Sequence, residues 1–163
     1  MIVADARGNI LVAFHRVREE QAAPTAGTVP VPLALMVAVD AGRVLLVFDR
    51  ARRQWELPGG RIEPGEAAAD AARRELAEES GARAAATEFA GLAEFDLAGP
   101  SPDAPRRREF AAVFRGGVRA SATPFAPTGE IAGTTLWTRG TPLAGASPID
   151  TRIARIVLRG AAG

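Results

Sequence analysis

The sequence predicts an α/β protein built as a three-layer α/β/α sandwich, a mixed sheet held between helices. Two observations carry the sheet. Residues 33–39 (LALMVAV) and 44–48 (VLLVF) are apolar without alternation, the signature of strands buried on both faces. The third observation is that helical patterns recur at residues 66–80 and 149–158, far enough apart in the chain to cover opposite faces.

The elements follow in order. After the turn-like ARGN, residues 9–17 (NILVAFHRV) predict a strand. Residues 19–32 carry Pro24, Gly27, Pro30 and Pro32 and predict a linker or long loop. The two apolar runs are joined by DAGR, so an antiparallel hairpin is expected. Pro64 and Gly65 form a turn before the helix, and Gly81 is placed to cap its C-terminus. On that helix Ala69, Ala72 and Leu76 share an inward face, while Glu75, Glu78 and Glu79 fall on an adjoining arc. Residues 89–97 fit either a strand or a helix; residues 109–115 and 134–138 read as strands. A single domain over 1–163 is expected, with 1–32 as its N-terminal strand and linker.

Composition restricts the function. The net charge of +1 gives no electrostatic footprint for duplex nucleic acid. All 20 basic residues are Arg, in a chain rich in Ala, Gly and Pro, which reads as genomic codon bias. The absence of cysteine excludes disulfides, zinc–thiolate sites and thiol catalysis, and suits a reducing compartment. Neither a signal-peptide pattern nor an apolar run of membrane-spanning length is present, so a cytoplasmic chain without a membrane partner is expected.

Like charges four apart destabilise a helix by about 0.2–0.5 kcal/mol per pair. Glu75, Glu78 and Glu79 therefore call for a neutralising partner. Clustered carboxylates favour a hard divalent cation such as Mg²⁺, which keeps waters and meets phosphates, and Gly59 and Gly60 would let backbone approach closely. Metal-assisted attack of water on phosphorus is the reaction such a set fits.

The spacing Gly60, Glu66, Arg74, Glu75, Leu76, Glu78, Glu79, Gly81 resembles the Nudix hydrolase box, G-x5-E-x7-R-E-U-x-E-E-x-G-U with U a bulky aliphatic residue. Ala82 at the final aliphatic position is the one departure, and WELPGG just upstream is also family-like. At ordinary residue frequencies a chance match at eight positions is on the order of one in 10⁹. The resemblance implies a Nudix fold and hydrolysis of a nucleoside diphosphate linked to a moiety X, with Mg²⁺ or Mn²⁺. It further implies Glu75, Glu78, Glu79 and the Gly60 carbonyl as metal ligands, one glutamate doubling as base, with Arg74 orienting the carboxylates and Glu66 fixing the loop–helix geometry. Glu130, seven residues before Trp137, matches a loop glutamate that some such enzymes use as a further ligand or base; the alternative is a solvated loop carboxylate.

Within the family the expected substrate is a nucleoside triphosphate, oxidised ones included, cleaved to monophosphate and pyrophosphate. The alternative is ADP-ribose or a nucleotide sugar. Sub-families of that kind often carry a proline about sixteen residues past the box, where this chain has Ala98. A third reading is a non-catalytic nucleotide-binding module, against which all box carboxylates stand intact. Partners are then a small-molecule nucleotide and, in a homodimer, a second copy of the chain. Arg50, Arg52 and Arg53 are candidates for substrate phosphates and Phe125 for stacking on a base. Arg106–Arg108 form a charge run at a loop-to-strand junction, Trp55 reads as packing, lone His15 as structural, and Ser80 lacks a nucleophile's context.

Overall fold

A computed structural model describes residues 2–160; residues 1 and 161–163 of the expected domain lie outside them. The chain runs β1 (Val3–Ala4), β2 (Ile10–His15), α1 (Ala22–Ala26), β3 (Leu33–Asp40), β4 (Arg43–Asp49), β5 (Gln54–Glu56) and β6 (Gly59–Arg61). It continues through α2 (Ala68–Ser80), β7 (Thr87–Leu97), β8 (Arg107–Gly117), β9 (Ile131–Trp137) and α3 (Pro148–Arg159). All nine strands belong to one mixed sheet, ordered β1-β2-β7-β8-β3-β4-β5, with β6 on β3 and β9 on β4.

The doubly buried strands are as expected. Ala34, Met36 and Ala38 of β3 face a core shared with Ala71, Ala72 and Leu76 of α2. Val37 on the other face joins Ile149, Ile153, Ala154 and Val157 of α3. Met36, Leu46, Leu76 and Ile153 are fully buried, and each such side chain contributes about 1.5–3 kcal/mol relative to exposure.

One irregularity positions the site. β3 and β4 pair as the expected hairpin at Val39↔Val44 and Asp40↔Arg43, then part company. β6 takes the place beside β3, with Gly59 opposite Leu35 and Gly60 opposite Ala34. β5 takes the place beside β4 through Val47, Phe48 and Asp49. The Leu57–Pro58 link thus sits in the fork of a split sheet, anchored where Met36 N–H donates to the Pro58 carbonyl at 2.8 Å.

Several expectations need correction. The helix begins at Ala68, not Glu66, because Ala67 holds extended backbone (φ −73°, ψ 143°) at its N-cap, while the Glu66 carboxylate is taken up by the Glu63 N–H and Arg74. The 19–32 linker contains a 3₁₀ turn at Glu19–Gln21 and α1, in which Pro24 falls within the first turn that tolerates it. The ambiguous 89–97 segment is strand β7, eleven residues long and paired along β8. Gly81 caps α2 with φ of 73°, and Ser147 caps α3 by accepting from Asp150 N–H, as a serine ahead of proline is suited to do.

Candidate active site

The box folds into a strand, a turn and a helix that bring its residues to one place. Arg74 is the hub. Its Nε donates to Glu66 Oε1 at 2.9 Å and its Nη2 to Glu66 Oε2 at 3.0 Å, a two-pronged pair. Nη1 donates to Glu75 Oε1 at 2.7 Å, and Nη2 also donates to the Arg61 carbonyl at 3.0 Å. These bonds hold the Glu66 carboxyl down at about 2, below its ordinary 4.5, with the Arg74 hydrogen bonds the largest cause.

Gly59 and Gly60 lie directly beneath the glutamates. A Cβ on Gly60 would come within 2.5 Å of Glu75 Oε1, so only glycine leaves that carboxylate its space. Gly59 N–H donates to Glu79 Oε2 at 3.1 Å. Burial pushes Glu79 up to about 8, and repulsion from Glu75, Glu56 and Glu130 adds to it against the Gly59 hydrogen bond. Glu78 stands outward with its side chain 61% exposed, at the edge of Arg74's reach. Among the described residues no three acidic or histidine side chains form a ready-made cage. Glu75 is turned onto Arg74 and Glu79 onto the Gly59 amide, each satisfied by protein donors.

Glu130 is exposed in the loop before β9, and its field reaches Glu79 from there. That loop is tied down by Arg50, whose Nε donates to the Thr128 carbonyl at 3.1 Å and whose N–H donates to the Glu130 carbonyl at 2.9 Å. Arg50 therefore ties the loop to the turn after β4.

On the α3 side of Gly59 and Gly60 opens a cleft of about 410 Å³. It is lined by Leu35, Phe95, Leu97 and Ile149, by Gln54, Glu56, Glu109 and Asp150, and by the exposed Arg7, Arg61 and Arg107. Arg52 also lines it, paired to Glu56 Oε2 at 3.0 Å and to Asp49 at 3.3 Å. Burial pushes Glu56 up to about 7, with Asp150 repulsion adding and Gln54 and Arg52 opposing. Asp150 is also raised by burial, although it accepts from Ser147 and from the Leu57 N–H at 3.0 Å. Arg53 sits in the turn after β4 with φ of 56°, and neither it nor Phe125 lines this cleft.

Of the arginine run, only Arg107 reaches the cleft. Arg106 staples Asp96 at 2.9 Å and the Gly8 carbonyl at 2.8 Å, and Arg108 pairs with buried Glu94. His15 pairs with the same Glu94 at 2.7 Å. Trp55 packs edge-on against Phe48 at 5.1 Å, and Ser80 donates to the Leu76 carbonyl at 2.6 Å. Glu56 and Asp150 went unnoticed in the sequence. An acid set immediately before the LPGG turn was the available sign for Glu56, and a helix-capping segment hid Asp150.

A profile of the NUDIX domain matches residues 29–148. The chain therefore belongs to the Nudix hydrolase family, whose members act on pyrophosphate bonds and generally use divalent metal ions. A protein of Bacillus subtilis (strain 168), provisionally named 8-oxo-dGTP diphosphatase, is 41% identical over 58 residues; the match covers 36% of this chain and 39% of that protein. Among solved structures, the pyrophosphohydrolase BsRppH of Bacillus subtilis superposes with a TM-score of 0.68 at 20% identity, over 98% of this chain and 96% of that one. A NUDIX hydrolase from Nitrosomonas europaea gives 0.64 at 21% identity over 80% and 90% of the two chains. A MutT NUDIX hydrolase from Burkholderia pseudomallei gives 0.61 at 18% over 81% and 98%. At such identities the structural likeness concerns the fold.

Proposed function

We propose that the chain is a Mg²⁺-dependent pyrophosphohydrolase that cleaves a nucleoside triphosphate, oxidised ones included, to the monophosphate and pyrophosphate. The observation that carries the reading is the Gly60–Glu75–Arg74–Glu66 relay, in which a missing Cβ and a two-pronged arginine together fix one carboxylate of the box. The provisional name of the Bacillus subtilis relative supports the choice of substrate.

The donor set fits a hard cation. It consists of carboxylate and carbonyl oxygens alone, with Glu79 buried beside other acids and left short of positive charge. Glu75, Glu78, Glu79 and the Gly60 carbonyl would hold Mg²⁺, with Glu130 completing the set from the loop before β9. Bound there, the ion neutralises phosphate charge and acidifies a water. Arg74 keeps Glu75 oriented, and Glu66 keeps Arg74 oriented by filling the two donors that would otherwise draw it to the box carboxylates. One glutamate of the trio, doubling as ligand and base, would take the proton of the attacking water. Arg52 is bound to Asp49 and Glu56 and Arg107 to Glu109, which makes Arg61, in the cleft lining, the cation proposed for the phosphate chain. A cytoplasmic site of action belongs to the same reading.

Incubation with Mg²⁺ and a panel of nucleoside triphosphates, ADP-ribose and nucleotide sugars tests it. Release of pyrophosphate and monophosphate from triphosphates is the expected result. Turnover confined to ADP-ribose or sugar nucleotides would replace it, and inactivity across the panel with metal bound would sink the enzymatic reading.

A further inference from the structure

Building on the pyrophosphohydrolase reading, we propose that the cleft on the α3 face seats the substrate's base and that Glu56 selects a guanine-type base by accepting two neighbouring N–H groups. The cleft has the proportions for a flat heterocycle. Leu35, Phe95, Leu97 and Ile149 give it apolar surface, and Glu56 is among the polar groups that line it. A ring entering it loses water along its faces and presents one edge to Glu56.

Location gives the direction in which the nucleotide lies. Gly59 and Gly60 line this cleft, and the same two residues meet Glu79 and Glu75. A base inside the cleft therefore leaves its phosphates leading past the glycines towards the box carboxylates. The exposed arginines Arg7, Arg61 and Arg107 also line the cleft, Arg107 paired to Glu109 at 3.3 Å.

The acid determines which base. Glu56 Oε1 accepts from the Gln54 amide at 2.6 Å and Oε2 from Arg52 at 3.0 Å, so each oxygen keeps one lone pair. The pairs that remain belong to one rigidly held carboxylate whose side chain is 14% exposed. Guanine offers N1–H and N2–H₂ side by side, and 8-oxoguanine keeps that edge. Adenine and cytosine set an acceptor beside their amino group, and uracil flanks its N–H with acceptors. Each of these turns a lone pair towards the carboxylate. Asp150 is held by the Leu57 N–H and Ser147, so it shapes the floor beneath Glu56 and adds repulsion that incoming donors relieve.

Calorimetric titration of metal-free protein with GMP and with AMP reads the base site without catalysis. Wild type is expected to prefer GMP by ~10-fold to ~100-fold, the range a good bidentate pair gives. Glu56→Gln, which keeps the shape but replaces one acceptor by a donor, should bring the two affinities within about twofold. Leu97→Trp, which narrows the cleft, should weaken GMP binding by at least ~10-fold. Equal binding of GMP and AMP, no binding of either, or a preference surviving in Glu56→Gln would overturn the proposal. Hydrolysis of GTP and ATP with Mg²⁺ separates the two readings. Turnover without base preference removes only the guanine site; a GMP preference without turnover removes the hydrolase reading and leaves the base site.

Discussion

Arg74 grips Glu66 through both carboxylate oxygens, at 2.9 and 3.0 Å, and from the same guanidinium reaches Glu75 at 2.7 Å. A lysine carries the same charge as a single point and cannot reproduce the fork. Arg74→Lys is therefore expected to lower kcat by ~10–100-fold, the range usual for a partner that orients ligands. Its thermal melt should move little, since the pair is solvated on one side. Steady-state kinetics with full activity in that variant would remove Arg74 from its orienting role.

Glu79→Gln should lower kcat by ~100-fold or more, beyond what an orienting partner gives. The fold should persist, because Glu79 does not belong to either core cluster. In the metal-free protein the amide even removes repulsion with Glu75 and Glu56, so the melting temperature is expected to stay level or rise. Wild-type turnover at saturating Mg²⁺ would be the contrary finding.

Glu79 and Glu56 make a pH prediction with a definite sign. Both carboxyls lie above their ordinary 4.5 in the fold, at about 8 and about 7, chiefly through burial. Between 4.5 and those values the native protein holds protons that the unfolded chain has lost, so stability falls as pH rises. Glu66 runs the other way: depressed to about 2, it contributes fully above 4.5 and is lost as pH falls towards 2. Melting temperatures in EDTA should accordingly decline from about pH 5 to about pH 8. Metal binding, which needs the carboxylates ionised, should tighten over the same interval. In Glu79→Gln the decline should be shallower; a rising melting temperature across this range in wild type would contradict the assignment.

The two glycines should fail differently. A Cβ on Gly59 runs into the Ala34 carbonyl oxygen, which is sheet backbone, whereas one on Gly60 meets the Glu75 carboxylate, which can swing away. Gly59→Ala is expected to destabilise the protein by at least about 1–3 kcal/mol through overpacking. Gly60→Ala should melt closer to wild type yet lose activity as strongly as a Glu75 variant. Denaturant titration alongside kinetics distinguishes them.

Glu130→Gln is predicted to lower kcat with little change in melting temperature, since the side chain is exposed and only its backbone is bonded to Arg50 and Thr128. Unchanged kcat and metal dependence would leave Glu130 a solvated loop residue. Arg50→Ala provides the companion experiment. It frees the Thr128 carbonyl and should reduce activity only if the loop matters.

The helix-bearing part of this site was legible because its chemistry is local. The box positions lie within two dozen residues, and one helix turn with one glycine bend brings them together. The strands of residues 33–39 and 44–48 were equally plain, since burial on both faces leaves no polar residue to break the run. What escaped notice is what distant segments create. β5 and β6 are three residues each, stabilised by the fork between β3 and β4 rather than by their own pattern. Glu56 and Asp150 are 94 positions apart in the chain and share a cleft only because α3 lies over the split sheet. Arg52 and Arg107 shared a similar setting with neighbouring arginines in sequence; a turn with Arg53 at positive φ and the start of β8 at Arg107 separate them from Arg53 and Arg106.

The parallel pairing of β3 with β8, from Leu33↔Ala111 to Val39↔Gly117, has a consequence for how the protein becomes active. It closes a loop in the chain that contains β5, β6 and the whole of α2. Closure over such a distance costs entropy before any contact repays it, which places this pairing among the slow events of folding. The glutamates can be helical earlier, but the glycine backbone beneath them is fixed only once β3 has a neighbour on both sides. Recovery of catalysis after dilution from denaturant should then lag behind recovery of helical circular dichroism. The lag measures the time the chain takes to bring β3 and β8 together.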